Sequence, residues 1–484
     1  MFHNWRRRTP GTTLVIHAGM TSRLLESADI AGLIDRYDRP GPRYTSYPTA
    51  VEFHTGFSVE DYRGRLDAAS TVAAPLSLYL HVPFCEHRCA YCGCAVIATR
   101  KREVAETYLD YLEREIAMVA AALGERRTVV QYHWGGGTPT YLSTEQIARL
   151  DACVRRHFDV SPDAEQAIEI DPRVTSSEQI LLLRKLGFNR LSFGVQDFTK
   201  TVQQAIQRHQ SEAETRQLYA TARAAGFASI NFDLIYGLPR QTVASFTRTL
   251  ASVVAMRPDR IAVYSYAHVP WMRPNQKAID PMDLPDAGQK RRLLAAAIET
   301  FTAAGYEAIG MDHFALADDD LAIAARERRL HRNFMGYTTR PAPDSVALGV
   351  SAISDVAGAF SQNHKSLARY YEALDAGRLP VERGYALNDD DQLRRFAIAE
   401  LMCNFRLDAA QVRARFGIDM MEYFRPELEE LRAADGPIAD GLLELGPAAM
   451  TVTARGRLFV RNICMVFDRY LAAHKSRPVF SRTI

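Results

Sequence analysis

The sequence has no long apolar run and no excess of charge of one sign. No stretch approaches the roughly 20 apolar residues that a helix needs to cross a bilayer, so the sequence predicts no membrane span. Its 59 Lys and Arg residues nearly balance its 57 Asp and Glu residues, so the composition lacks the excess of positive charge that is typical of nucleic-acid-binding proteins. With 484 residues, 47% of them hydrophobic, the chain is typical of a globular protein of two or three domains.

Cysteine is sparse, and its distribution argues against disulfide bonds. The total of seven is odd, three of the cysteines are scattered (Cys153, Cys403 and Cys464), and no secretory signal is evident. Reduced cysteines favour a cytoplasmic location. The other four fall within ten residues: Cys85, Cys89, Cys92 and Cys94.

The first three clustered cysteines, Cys85, Cys89 and Cys92, are separated by three and then two residues. Three thiolates on one loop can hold three corners of an iron–sulfur cube and leave the fourth iron open to a ligand. A structural zinc site usually needs a second Cys-x-x-Cys pair, which this sequence lacks. The spacing favours an open iron–sulfur site, with zinc or unliganded cysteines as alternatives.

Short β-rich runs alternate with helical patterns from Leu76 onward, which predicts an α/β fold with a parallel sheet, a partial (β/α)6 barrel. The predicted strands are Leu76–Val82, Thr128–Trp134, Gln166–Asp171, Arg190–Val195, Ser229–Ile235 and Arg260–Ala267. A helix is predicted around residues 104–119, with Gly124 near its end. Polar and glycine residues follow almost every strand, so we expect one active-site mouth at the carboxyl edge of the sheet.

Four segments are expected along the chain. Residues 1–30 are interpreted as a leader, either disordered or an extension of the gene prediction, with Met20 as an alternative start. Residues 31–75 form an N-terminal arm or lid, residues 76–375 the barrel and its extension, and residues 376–484 a helical C-terminal domain. A helical pair in that domain resembles a helix-turn-helix, but its acidic surroundings favour a packing role over DNA binding.

The cysteine spacing, the strand pattern and the glycine-rich residues 135–137 together resemble the radical S-adenosylmethionine (SAM) superfamily. Five further blocks, at residues 37–49, 133–140, 310–314, 331–334 and 456–464, resemble the family of oxygen-independent coproporphyrinogen III oxidases. The resemblance runs from about Ile34 to the carboxyl terminus. Cys94 and the N-terminal block separate this family from the related haem chaperones, which are the alternative interpretation.

The resemblance implies a cofactor and a reaction. Cys85, Cys89 and Cys92 would hold a [4Fe-4S] cluster whose open iron binds SAM, and the 5′-deoxyadenosyl radical from SAM would take a hydrogen from a propionate of the substrate. Loss of CO2 at two propionates, each with one electron passed to an acceptor, would convert coproporphyrinogen III to protoporphyrinogen IX. The cofactor carries the difficult chemistry, and the protein positions the substrate and excludes water.

Family correspondence also implies residues that contact SAM, of which two molecules are expected. The expected contacts are Tyr79, Tyr91, Gly136, Gly137, Thr138, Glu169, Gln196, Arg208, Asp233, Ala267 and Ile353. For the second SAM we expect Tyr91, Thr138, Gln196, Arg208 and Asp233.

The substrate and partners follow from the same resemblance. Arg43, Arg332 and Arg340 are candidates for the substrate carboxylates, because guanidinium binds carboxylate as a bidentate fork. The expected electron donor is a flavodoxin or ferredoxin, the electron acceptor is unknown, and the chain is expected to be a monomer.

Overall fold

The computed structural model describes residues 28–474 and 480–483. One 12-stranded sheet runs through it, in the spatial order β16-β15-β14-β13-β1-β4-β5-β6-β7-β8-β10-β9. The strands are β1 Leu76–Val82, β2 Phe84–Cys85, β3 Ile97–Ala98, β4 Thr128–Gly136, β5 Asp159–Ile170, β6 Arg190–Gln196, β7 Ser229–Tyr236, β8 Arg260–Ser265, β9 Tyr306–Gly310, β10 His313–Leu316, β11 His331–Asn333, β12 Gly336–Thr338, β13 Asp344–Leu348, β14 Ile353–Val356, β15 Ala359–Asn363, β16 Val381–Ala386, β17 Arg406–Asp408, β18 Leu443–Leu445 and β19 Ala449–Val452.

The six predicted strands form the centre of this sheet. β1, β4, β5, β6, β7 and β8 lie side by side and parallel, which confirms the α/β class and the partial barrel. Most observed ends lie within two residues of the predicted ones. The exception is β5, which begins at Asp159 instead of Gln166, because its first residues already pair with the start of β4.

Helices connect the strands, and several of them begin with a side-chain cap. They are α1 Ala28–Tyr37, α2 Val59–Ser70, α3 Glu103–Ala122, α4 Thr144–His157, α5 Ser177–Lys185, α6 Lys200–Ala205, α7 Glu212–Ala224, α8 Val243–Met256, α9 Ala287–Ala303, α10 Asp320–Arg326, α11 Leu367–Asp375, α12 Asp389–Asn404, α13 Ala409–Phe416, α14 Met420–Tyr423, α15 Arg425–Leu431 and α16 Val460–Met465. Ser143, Ser176 and Thr242 each begin a helix with a capping box, which satisfies backbone N–H groups that the first turn leaves free. The predicted helix at residues 104–119 is α3, and Gly124 follows it with φ +58°. Within the described residues, no helix is both long and apolar enough to span a bilayer.

The two faces of the barrel strands differ in chemistry. In β1, Leu76, Leu78 and Leu80 are fully buried against the surrounding helices. The alternate positions face the barrel interior and carry polar groups, since successive side chains of a strand point to opposite faces. Glu165 in that interior accepts a hydrogen bond from Gln131 at 3.1 Å and pairs with Arg190 at 3.2 Å. The barrel therefore encloses a polar lumen.

The N-terminal arm lies against both the barrel and the C-terminal segment. Tyr37 donates to Asp440 at 2.8 Å, and Tyr44 donates to Asp468 at 3.0 Å. From the same arm, Arg43 forms an ion pair with Asp312, directly before β10. The arm thus joins the carboxyl-terminal residues to the edge of the barrel.

Two features of the predicted segments differ in the structure. The leader prediction falls on residues outside the described part, except that α1 begins at Ala28, inside its last residues. The C-terminal segment is rich in helices, but β16 still belongs to the large sheet, and β17, β19 and β18 form a separate three-stranded antiparallel sheet. Such short strands carry too few alternating residues to be seen in the sequence pattern.

Candidate cofactor and substrate site

The clustered cysteines lie on the loop that follows β1, at the carboxyl edge of the sheet. The loop is closed at its base by β2 and β3, which pair in parallel from Phe84 to Ile97. The Cys89 side chain is buried, Cys85 and Cys92 are partly buried, and Cys94 is exposed; all four are free thiols. A hydrogen bond with Cys94 lowers the pKa of Cys92 to about 6, whereas burial raises the pKa of Cys85 to about 12.

The glycine-rich segment after β4 packs directly against the base of this loop. The backbone N–H of Gly137 donates to Val82 O at 2.8 Å, and that of Thr138 donates to Phe84 O at 2.9 Å. A Cβ atom on Gly137 would come within 2.5 Å of Phe84 O, and Gly136 has φ +119°. Only glycine fits this close approach, so the motif fixes the cysteine loop to the sheet.

Two amides from the segment after β8 hold the other side of the loop. Asn275 Nδ2 donates to the carbonyl oxygens of Cys89, Ala90 and Cys92 at 3.0–3.2 Å. Gln276 Nε2 donates to Tyr91 O at 2.9 Å and to Ala267 O at 3.1 Å. The backbone between the cysteines is therefore fixed by side chains that lie about 185 residues further along the chain.

A buried ion cluster lies against Cys89. Arg208 donates two parallel hydrogen bonds to Asp171, each 3.1 Å long, and Arg173 donates a third at 2.6 Å. Both guanidinium groups also approach the Cys89 sulfur, at 3.8 and 3.6 Å. Burial raises the pKa of Asp171, but the charges of Arg208 and Arg173 outweigh it and lower that pKa to about 2. Two cations thus stand beside a sulfur that would carry negative charge as a ligand.

Two further carboxylates line the lumen near its mouth. Glu169 accepts from the Gly136 N–H at 3.2 Å, and its side chain is 45% exposed. Asp233 accepts from Ser192 at 2.8 Å and from Asn231 at 2.9 Å. Burial, reinforced by the charge of Glu169, raises the pKa of Asp233 to about 6. The pair offers acceptors for hydroxyl or ammonium groups of a ligand.

The remaining expected contacts are spread around the same edge. Tyr79 donates to or accepts from His81 at 3.1 Å and stacks on His133. Gln196 ends β6 with φ +66°, and its amide lies beside Gly194, as does the Arg208 guanidinium. Ile353 begins β14, two strands away from Tyr79, and packs near a separate cluster with Phe53 and Phe360. The structure therefore gathers most expected residues around the cysteine loop and places Ile353 at one flank.

The three candidates for substrate carboxylates have different surroundings. Arg43 and Arg332 adjoin each other, because Arg332 Nη1 donates to the Arg43 carbonyl oxygen at 2.7 Å. Arg340 instead forms a surface ion pair with Asp163 at 3.2 Å, with both side chains about half or more exposed. Asp163 precedes Glu169 by six residues of β5, about 20 Å from the carboxyl edge. The expectation for Arg340 is therefore wrong.

Sequence reasoning missed several residues that shape the site. Arg173 lies two residues after Asp171, at the carboxyl edge of the sheet where functional residues were expected. Its position in the sequence could therefore have predicted a role in the site. Asn275 and Gln276 lie in a short 3-10 helix, Pro274–Ala278, with no motif around them. Their role depends on tertiary contacts that no local pattern records.

Comparison with known proteins agrees with this geometry. The model of the radical SAM superfamily matches residues 79–253, and the HemN C-terminal domain model matches residues 387–459. An oxygen-independent coproporphyrinogen III oxidase of Synechocystis sp. is 44% identical over 94% of this chain and 98% of its own length. The Salmonella typhimurium protein of the same name is 48% identical over 93% of this chain and 98% of its own.

A solved structure is similar along almost the whole chain. The coproporphyrinogen III oxidase HemN of Escherichia coli, described as a radical SAM enzyme, superposes with a TM-score of 0.86 and 46% identity. The match covers 91% of this chain and 98% of that one. A partial barrel of parallel strands with three cysteines on the loop after its first strand defines a radical SAM enzyme. Within that class, the chain belongs to the oxygen-independent coproporphyrinogen III oxidases.

The residues present fit a [4Fe-4S] cluster. Three free thiols of one loop lie close enough for their charges to influence one another, and two arginines adjoin Cys89. Among the described side chains, no three His, Cys, Asp or Glu residues converge on a single metal ion. Cysteines that each bind a different iron of a cube need no such convergence.

Proposed function

We propose that the chain carries out the oxygen-independent decarboxylation of two propionate side chains of coproporphyrinogen III, giving the vinyl groups of protoporphyrinogen IX. The observation that supports this most directly is the position of Cys85, Cys89 and Cys92 at the carboxyl edge of the partial barrel. That arrangement occurs here in a chain 44–48% identical to coproporphyrinogen III oxidases over nearly its whole length.

Residues of the chain are assigned to the cofactor as follows. Cys85, Cys89 and Cys92 would hold three irons of the cluster, and Glu169 and Asp233 would accept hydrogen bonds from SAM. When bound, the cluster and SAM supply a radical able to take a hydrogen from a propionate side chain. Asn275 and Gln276 fix the loop backbone, which would keep the three cysteine ligands in one position relative to the lumen.

The protein itself contributes positioning and exclusion of water. The N-terminal arm reaches the barrel through Arg43, whose guanidinium lies 5.5 Å from the centre of the Tyr264 ring. We infer that this arm closes over the bound macrocycle. A closed, water-poor lumen protects a reactive radical from side reactions and strengthens each polar contact inside it.

We also propose that two SAM molecules bind, the second beside Tyr91, Thr138, Gln196, Arg208 and Asp233. Polar groups on both sides of the cysteine loop support this proposal. The positive φ of Gln196 supports it as well, since residues with strained backbone angles are common at ligand sites. Equilibrium dialysis of the cluster-loaded protein is expected to give two SAM per chain; one per chain would contradict this.

The electron donor is proposed to be a small flavodoxin or ferredoxin that docks where the cysteine loop reaches the surface. Cys94 is exposed there, and the adjacent segment carries Trp271 and Met272 with 56% and 48% exposure. Arg273 lies next to Gly93, which suits an acidic partner. The electron acceptor is unknown. We also propose that the protein is a monomer in the cytoplasm. Sedimentation at working concentration would check the monomeric state.

The test is an anaerobic incubation of the cluster-loaded protein with coproporphyrinogen III, SAM and a reductant. Chromatography of the oxidised products is expected to show protoporphyrin, with the singly decarboxylated compound before it. If a fully loaded protein gives neither product, the proposal is wrong. Tight haem binding without turnover would point to the haem chaperones instead.

A further inference from the structure

Three arginines meet beside β10, where the described residues supply a single carboxylate for them. Arg43 pairs with Asp312. Arg461 donates to the backbone oxygens of Gly41, Pro42 and Thr483 at 2.5–3.0 Å. Within residues 28–474 and 480–483, neither Arg332 nor Arg461 has a carboxylate partner. Arg461 is only 7% exposed and Arg332 is partly buried, so positive charge without a carboxylate partner is held away from bulk water, a position that favours a bound anion.

His313 lies inside the same cluster and has an unused ring nitrogen. Its ring packs edge-on against Tyr337 at 5.1 Å and Tyr264 at 5.8 Å. Nδ1 of His313 and Nε of Arg332 are both buried without a hydrogen-bond partner in the described part of the chain. Native proteins rarely leave such a group unpaired, so two unpaired groups side by side call for a partner such as a bound anion.

Burial and the charges of Arg332 and Arg43 keep His313 neutral, by lowering its pKa to about 3. A neutral imidazole has one N–H and one lone pair, so it can donate a hydrogen bond without adding charge. His313 can therefore complete the coordination of a carboxylate that the two arginines attract.

This cluster opens on the lumen that contains the expected cofactor contacts. Tyr264, near the end of β8, has Arg43 over its ring. In the pairing of β7 with β8, Asp233 lies opposite Ala262 and Ile235 opposite Tyr264, so Asp233 and Tyr264 face the same side of the sheet. An anion bound at the arginines would thus lie one aromatic ring away from the carboxylates assigned to SAM.

We propose that Arg43, Arg332 and His313 form a carboxylate-binding pocket that holds one propionate of the macrocycle. Arg332 and Arg43 supply guanidinium groups that fit both carboxylate oxygens, and His313 donates from its ring. Tyr264 and Tyr337 provide the apolar sides. The identity of the macrocycle rests on the proposed function, whereas the preference for a carboxylate rests on these residues alone.

The experiment uses full-length, cluster-loaded protein and coproporphyrin III, the fluorescent oxidised form of the macrocycle with the same four propionates. The variants are R332Q and H313F, which remove a guanidinium and a ring nitrogen. R340Q is the matched control, because it removes an arginine from an exposed ion pair. We expect Kd to rise roughly tenfold or more for R332Q and severalfold for H313F, with R340Q unchanged.

A second ligand separates charge recognition from shape. The tetramethyl ester of coproporphyrin III lacks the carboxylates, so R332Q and H313F should bind it as the unmodified protein does. Equal weakening for acid and ester, or unchanged binding of the acid, would overturn the pocket. If R332Q does not fold, H313F decides the same question, since it keeps the aromatic packing.

The two proposals fail in different ways. A protein that shows Arg332-dependent binding of the acid but makes no protoporphyrin would contradict the proposed reaction and retain the pocket. Normal turnover with binding that is insensitive to both variants would contradict the pocket alone.

Discussion

Two arginine clusters lie in one barrel, and they differ in how their charge is balanced. At the cysteine loop, Arg173 and Arg208 share Asp171 through several short hydrogen bonds, and the Asp171 and Arg208 side chains are only 10% and 6% exposed. At β10, Arg43 pairs with Asp312 while Arg332 and Arg461 have no carboxylate partner among the described residues. In the first cluster each guanidinium group is bonded to a carboxylate of the protein, whereas in the second cluster two guanidinium groups have none among the described residues.

This difference separates two roles of arginine: stabilising the protein and binding a ligand. A buried, fully bonded cluster fixes the groups around it, here the loop that carries Cys89. A cluster with unpaired charges lowers the stability of the free protein, and a bound anion restores that stability. Substitutions in and around each cluster test whether the two differ in this way.

The largest effect is expected at the loop that the first cluster supports. C85S removes one of the three proposed ligands, so the iron–sulfur absorbance should be lost after anaerobic reconstitution, because the two remaining thiolates hold a cube poorly. Iron and sulfide analysis measures the cluster content.

C94S is the matched control in the same loop. Cys94 is exposed, and its N–H donates to Cys92 Sγ at 3.4 Å, a contact that serine retains. C94S should therefore keep a full complement of iron. A C85S protein with full iron, or a C94S protein without it, would show that the three ligands are wrongly assigned.

The second effect compares the clusters directly. D171N leaves the buried Arg208 and the partly buried Arg173 without their shared anion, and loss of such a partner typically costs about 3–5 kcal/mol of unfolding free energy. D312N should cost about 1 kcal/mol, because Arg43 is 31% exposed and water can replace the lost partner. Urea denaturation of both variants without cofactor measures the difference. Equal losses would remove the distinction between the clusters.

The sequence predicted the scaffold of this site better than its charge balance. Alternating apolar runs located all six barrel strands, because each strand buries one face against helices and that demand appears locally as hydrophobic periodicity. The cysteine loop and the residues after each strand followed from the same reasoning, since parallel strands bring their carboxyl ends together.

Contacts between distant segments could not be predicted in this way. Arg208 was expected to contact SAM, and the structure adds that its guanidinium is bonded to Asp171, 37 residues earlier in the chain. Arg332 and Arg340 lie eight residues apart, yet one reaches the lumen side and the other the surface. An arginine side chain is long and flexible, so its partner depends on tertiary packing that sequence spacing does not specify.

The smallest effect is a pH dependence confined to the second cluster. Because the pKa of His313 is lowered from 6.5 to about 3, the folded state resists protonation while the unfolded state accepts it. Stability from this group is present above the unfolded pKa and is lost as pH falls from about 6.5 towards 3. Partial exposure of the ring moderates the loss, so we expect about 1 kcal/mol between pH 6.5 and pH 5.

The H313F variant isolates the contribution of His313 to the pH dependence of stability, because phenylalanine cannot titrate and keeps the contacts with Tyr264 and Tyr337. The difference in unfolding free energy between the unmodified protein and H313F should shift by that amount over the same pH range. Saturating coproporphyrin III should reduce the shift, since a carboxylate beside the imidazole favours its protonated form. A shift that is unchanged by the macrocycle would mean that the anion binds elsewhere. The second cluster would then have no role in binding the propionate.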